Sequence, residues 1–205
     1  MSVKTSDMKQ SGFTLIESVV AIVTLSFAML VLSQLLFPQV EKSAIPYYQA
    51  RASALGSAVM GEVMARMFDK GSDPTSVYRC GESTFVCYSP SNFGTSSSVS
   101  ATNFTSVDSY LLNDGAGVEL GCWGDTELCS PNTSRGDITA LLPGASESEY
   151  SNFAVLIDVY YEAYTAGSGF SGIESATVTE HKRVTVSVLT SEYGQYDFIA
   201  YRSNY

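Results

Sequence analysis

The chain has 205 residues, 45% of them apolar, with 21 acidic against 11 basic side chains and a formal net charge of −10. That length suits one domain, or one domain with an appended element. An acid excess without a basic patch excludes the counterion-displacing footprint of a nucleic-acid binder, and it suits a domain kept soluble by self-repulsion in an aqueous, extracytoplasmic space.

The first informative stretch is the N-terminus. Residues 1–12 are polar and carry Lys4 and Lys9 against Asp7. Positive charge ahead of an apolar run holds that end on the cytoplasmic side of a membrane. The run itself covers residues 13–37 and holds one charge, Glu17. As a helix it would extend about 38 Å at 1.5 Å per residue, enough to cross a hydrocarbon core of ~30 Å with some tilt. A secretory signal has a shorter apolar region followed by small residues, whereas Gln34-Leu35-Leu36-Phe37-Pro38 offers no such cleavage site. A plain transmembrane anchor explains the length but not Glu17. A carboxylate within a membrane helix costs about 2.5–3.5 kcal/mol on the lenient insertion scale, so it needs a partner.

At Gly12-Phe13-Thr14-Leu15-Ile16-Glu17 the sequence resembles the type IV prepilin family, which includes pilins and the pseudopilins of type II secretion. The resemblance implies cleavage between Gly12 and Phe13 by a prepilin peptidase, N-methylation of Phe13, and an assembly role for Glu17. Glycine at position 12 suits a backbone threaded into a tight proteolytic cleft. Glu17, among apolar neighbours, would meet the new amine of Phe13 on an adjacent subunit and so set axial register, the best-attested use of a buried ion pair. Many pilins carry a proline at the position occupied here by Gln34, so local unwinding there is absent or moves to Pro38.

Pro38 and Pro46 punctuate the next segment, and residues 47–68 are rich in Ala and Met. Ala50, Ala54, Ala58 and Gly61 form a narrow small-residue face, with Leu55, Val59 and Val63 on an adjacent face suited to covering a sheet. The pattern predicts one long helix, bent near the prolines and closed by Gly71-Ser72-Asp73-Pro74. Its divisions are a leader (1–12), a membrane and assembly helix (13–37), an amphipathic continuation (38–70) and a β-rich head (71–205).

Residues 75–152 read as loop-rich. Residues 89–106, dense in Ser, Thr and Asn, are expected to form an exposed excursion between short strands. Four cysteines fall in two equally spaced pairs, Cys80/Cys87 and Cys122/Cys129. The spacing is too wide for a zinc knuckle and points to disulfides in an oxidising compartment. Three connectivities are open, with local pairing favoured. Residues 153–164 are rich in aromatic and β-branched residues, as a strand requires. Val184, Val186 and Val188 alternate with Thr185, Ser187 and Leu189, a half-buried strand, and Tyr193-Gly194-Gln195 turns into a returning strand over 196–202. The predicted class is α+β: a long N-terminal helix on an antiparallel sheet, the pilin-like arrangement.

Three further segments resemble minor pilins of the mannose-sensitive haemagglutinin (MSHA) pilus, of the MshD type. They are Arg79-Cys80-Gly81-Glu82, the Phe-x-x-Val-Asp-x-Tyr element from Phe104 to Tyr110, and Lys182–Val188 followed by Gly194 and Tyr201-Arg202. Thr105, Ser106 and Ser109 stand where acids are common in that family, which argues against a metal there. The resemblance implies a non-enzymatic subunit without cofactor or metal. Its partners would be other pilin subunits, the prepilin peptidase, the inner-membrane assembly machinery and the membrane itself. The precursor would sit in a bacterial inner membrane, with its head periplasmic before export into a pilus for surface attachment. The alternative is a minor pseudopilin of a type II secretion system.

Other motifs carry less. Gly167-Ser168-Gly169-Phe170-Ser171-Gly172 fits G-x-G-x-x-G but precedes a strand, where a dinucleotide site needs a helix, so a hairpin loop is expected. His181 has no nucleophile elbow to serve and reads as a solvated strand residue. Asp158 and Glu162, evenly spaced on one strand, are expected to face solvent together. Asn113-Asp114-Gly115 lacks the acidic spacing of a calcium loop and reads as a turn.

Overall fold

The computed structural model describes residues 12, 14–75 and 77–205; the side chains of residues 36–43 and of Glu147 lie outside that description. The chain divides into two compact units, Met1–Pro46 and Tyr47–Tyr205. A single helix, α1 (Leu15–Met64), contributes to both.

In the first unit, every side chain from Leu15 to Leu35 is exposed. The serine and threonine hydroxyls in this apolar stretch are satisfied on their own helix. The hydroxyls of Ser18, Thr24, Ser26 and Ser33 donate to the carbonyls of Thr14, Val20, Ile22 and Met29 at 2.8–3.0 Å. Such back-bonding lets hydroxyls sit where no water is available.

In the second unit the end of α1 turns one face inward. Ala52, Leu55, Gly56, Val59 and Val63 are buried, spaced as neighbours on a helix surface. The small-residue face of Ala50, Ala54, Ala58 and Gly61 is exposed. The helix ends at Met64, so residues 65–68 leave it and carry Phe68 into the core.

The remaining elements follow in chain order: β1 (Gly121–Gly124), a one-turn α2 (Thr126–Cys129), β2 (Phe153–Tyr161), a small hairpin of β3 (Tyr164–Thr165) and β4 (Gly169–Phe170), β5 (His181–Thr190) and β6 (Gly194–Ser203). Four strands form one sheet in the order β1-β2-β5-β6, and every pairing is antiparallel. The architecture is therefore α+β.

Registration explains the core. Val155, Ile157 and Val159 of β2 stand opposite Val188, Val186 and Val184 of β5. All six are buried in one cluster with Leu55, Val59 and Val63. Strand alternation sends this face to the helix. Gly56 permits a close approach, because a Cβ there would fall within 2.7 Å of three ring carbons of Phe198 on β6.

The long connection before β1 is only in part the exposed excursion that its composition predicts: within residues 89–106, residues 97–100 are exposed while the two aromatic residues turn inward. Short 3-10 turns at Pro90–Asn92, Ala101–Asn103 and Val107–Tyr110 punctuate it, and it buries Phe93, Ala101, Phe104, Ser106, Tyr110 and Leu111. Polar side chains at its surface alternate with aromatic anchors, and the anchors decide the packing. Arg135 clips the connection down. Its Nη1 donates to the carbonyls of Tyr110 and Leu111, both at 3.0 Å, and its Nη2 donates to Thr95 Oγ1 at 2.9 Å. The guanidinium lies over the rings of Phe104 and Trp123.

Candidate functional site

Two regions carry chemistry, and the first is the N-terminal end of α1. Gly12 is exposed, whereas Phe13 and the leader residues 1–11 lie outside the described residues. Thr14 opens the helix: its carbonyl accepts from Glu17 and Ser18 N–H at 3.1 and 3.2 Å, and its Oγ1 meets Glu17 N–H at 3.4 Å. Thr-x-x-Glu is the sequence of a capping box, a local helix-start signal. Glu17 is exposed, and among the described residues no cation lies within ion-pair distance of its carboxylate. From Leu15 to Leu35 the helix has a mean hydropathy of 2.4, long and apolar enough to cross a membrane.

The second region is a buried charge cluster in the head. Lys182 on β5, Asp69 just after α1 and Asp108 in the Val107–Tyr110 turn are all fully buried. Lys182 Nζ lies 2.7 Å from Asp69 Oδ2 and 3.1 Å from Asp108 Oδ1. Asp69 is saturated with donors. The Tyr161 hydroxyl lies 3.1 Å from Oδ2 and 3.0 Å from the Tyr88 carbonyl and shares its one proton between them, and the backbone N–H groups of Gly71 and Tyr88 donate to Oδ1 at 2.7 and 3.2 Å. Burial, and next the charge of Asp69, push the Tyr161 phenol well above its ordinary value, so it stays protonated as a donor. Asp108 Oδ2 is buried with no hydrogen-bond partner. The rings of Phe93, Phe68 and Tyr161 surround Lys182 Nζ at 4.3, 4.7 and 4.9 Å.

This cluster joins two of the segments quoted above, the one ending at Tyr110 and the one starting at Lys182. The Arg79–Glu82 segment lies at another place: the Cys80 carbonyl accepts from Asn204 Nδ2 at 2.9 Å. Cys80 is bonded to Cys87 and Cys122 to Cys129.

The minor candidates divide. Glu162 was expected in solvent beside Asp158, yet it is fully buried. The strand ends at Tyr161, so alternation no longer governs Glu162; its carboxylate accepts from Gly172 N–H and faces Arg183 at 3.9 Å. Asp158 is half-buried, and burial, with Glu174 nearby, pushes its carboxyl above the ordinary range. His181 is half-buried and its Nδ1 lies 2.9 Å from Ser203 Oγ. The glycine-rich stretch forms the β3–β4 hairpin turn, with no helix after it. Among the described residues no group of His, Cys, Asp and Glu is arranged to hold a metal.

Comparison with protein-family models, with curated proteins and with solved structures returned no match.

Proposed function

We propose that this chain is a pilin-like subunit of a type IV filament, structural and not catalytic, of the MSHA minor-pilin kind. On this reading it is made as a membrane-anchored precursor, cleaved between Gly12 and Phe13, methylated at Phe13 and withdrawn into a filament through α1. The observation that carries the reading is Glu17. It is an acid in the first turn of an apolar membrane-length helix, exposed and without an ion pair among the described residues. In lipid such a group is costly; in a bundle of identical helices the amine of a neighbour's Phe13 neutralises it. The head supports the reading by its chemistry: an acidic domain closed by two disulfides belongs in an oxidising, aqueous compartment. The test is the mass of the N-terminal peptide from membrane-extracted protein in cells with an active prepilin peptidase. A chain beginning with methylated Phe13, recovered with sheared surface filaments, supports the proposal. Retention of Met1 overturns it. Cleaved protein whose deletion abolishes exoprotein secretion while surface pili persist assigns the chain to a secretion pseudopilus instead.

A further inference from the structure

The buried cluster has a composition that a simple ion pair does not need. One amine meets two carboxyl groups, and the two are held in different ways. Asp69 receives four donors, two of them backbone N–H groups, so its negative charge is spread over a fixed cage. Asp108 receives only Lys182 Nζ on Oδ1, while Oδ2 is buried with nothing donating to it. A bare anionic oxygen in that position is costly.

From this arrangement we propose that Lys182 and Asp108 join in an intramolecular amide bond, with Asp69 as the proton acceptor. Asp69 Oδ2, the oxygen nearest Nζ, takes a proton from the ammonium and exposes the nitrogen lone pair. Nζ attacks Asp108 Cγ, whose Oδ1 it already faces at 3.1 Å. In the tetrahedral intermediate the proton borrowed by Asp69 and a second nitrogen proton pass to Oδ2. The Cγ–Oδ2 bond breaks, water leaves, and Oδ1 returns to a carbonyl. Three protons begin on Nζ; afterwards one is on the amide and two are in the water, and Asp69 is again a carboxylate in its cage of donors. No oxidant or co-reactant is required. The rings of Phe68, Phe93 and Tyr161 keep bulk water from the nitrogen and, afterwards, from the amide. Residues 74 positions apart in sequence would thereby be linked covalently. This inference does not rest on the pilin reading.

The experiment is intact mass spectrometry of the full chain, extracted from membranes, reduced and alkylated, followed by fragment-ion sequencing of a digest. The expected result is a mass lower by one water, about 18 Da, with the branch on Lys182 and Asp108. Full sequence mass, corrected only for N-terminal processing, overturns the proposal and leaves an ordinary buried ion pair. A branch on Asp69 overturns the assignment of roles. A water loss that persists in Lys182→Met also overturns it, since cyclised aspartate then accounts for the mass. Asp69→Asn, shown to be folded by the emission of buried Trp123, is expected to remain unlinked. Linkage at the wild-type level in that variant removes Asp69 from the reaction.

Discussion

Gly56→Ala sets two effects of known sign against each other. Position 56 lies within α1, where alanine is favoured over glycine by about 1 kcal/mol. The added methyl would fall within 2.7 Å of three ring carbons of Phe198, well inside van der Waals contact. Phe198 is half-buried and held in register opposite Val186 on β5, so its ring must swing out of the groove or the helix must lift. Overpacking of this kind costs about 1–3 kcal/mol. Contact therefore offsets or outweighs propensity, and Gly56→Ala should lose up to about 2 kcal/mol. With a urea slope of roughly 2 kcal/mol/M, the midpoint falls by up to about 1 M. Trp123, the single tryptophan and fully buried, reports the transition by fluorescence in detergent solution. Phe198→Leu is destabilising alone, but its cost should shrink in the Gly56→Ala background, a coupling of roughly 0.5–2 kcal/mol. A midpoint that rises by about 0.5 M in Gly56→Ala would mean that helix propensity acts unopposed and the close approach carries no weight.

Glu17→Gln keeps size while removing charge. Under the proposed filament role it should be inserted and processed normally yet reach sheared filaments at a small fraction of the wild-type level, as immunoblots of membrane and sheared fractions at matched expression will show. On the same proposal Gly12→Val should leave the chain uncut, seen as an unprocessed band, because a β-branched side chain crowds the proposed cleavage site. Asp158→Asn should raise the urea midpoint at pH 7. Burial holds the folded-state carboxyl above its unfolded value, so the native state binds more protons in that window and stability falls as pH rises through it. Below the unfolded value both states are protonated, and the difference between Asp and Asn at pH 3 should vanish; a benefit that persists there argues for packing instead of charge.

Periodicity made part of the head legible before any coordinates. Val184, Val186 and Val188 announce β5, and Leu55, Val59 and Val63 announce the inward face of α1. The same alternation, run one step back, puts Lys182 on the face of those valines. That parity was the available signal for a buried lysine, obscured by its neighbours His181 and Arg183. Its partners could not be found in this way. Asp69 and Asp108 lie 113 and 74 residues from Lys182, and nothing in their local sequence marks them as its counterions. The Ser- and Asn-rich connection misled by average composition. Phe93 and Phe104, single aromatic residues in a polar background, carried the information that the segment packs inward. Glu162 shows the limit of parity, since it holds only while the strand lasts.

The two disulfides have a consequence for how this chain reaches its oxidised form. Each closes a ring with a sequence separation of 7, and the rings lie one after the other without interlocking. The shortest non-native alternative, Cys87 with Cys122, spans 35 positions. With encounter probability falling as the three-halves power of separation, each native pairing is favoured over that alternative by about tenfold in an unfolded chain. Correct pairing thus needs no folded template. The chain can be oxidised before its sheet forms, and a reshuffling enzyme has few errors to repair.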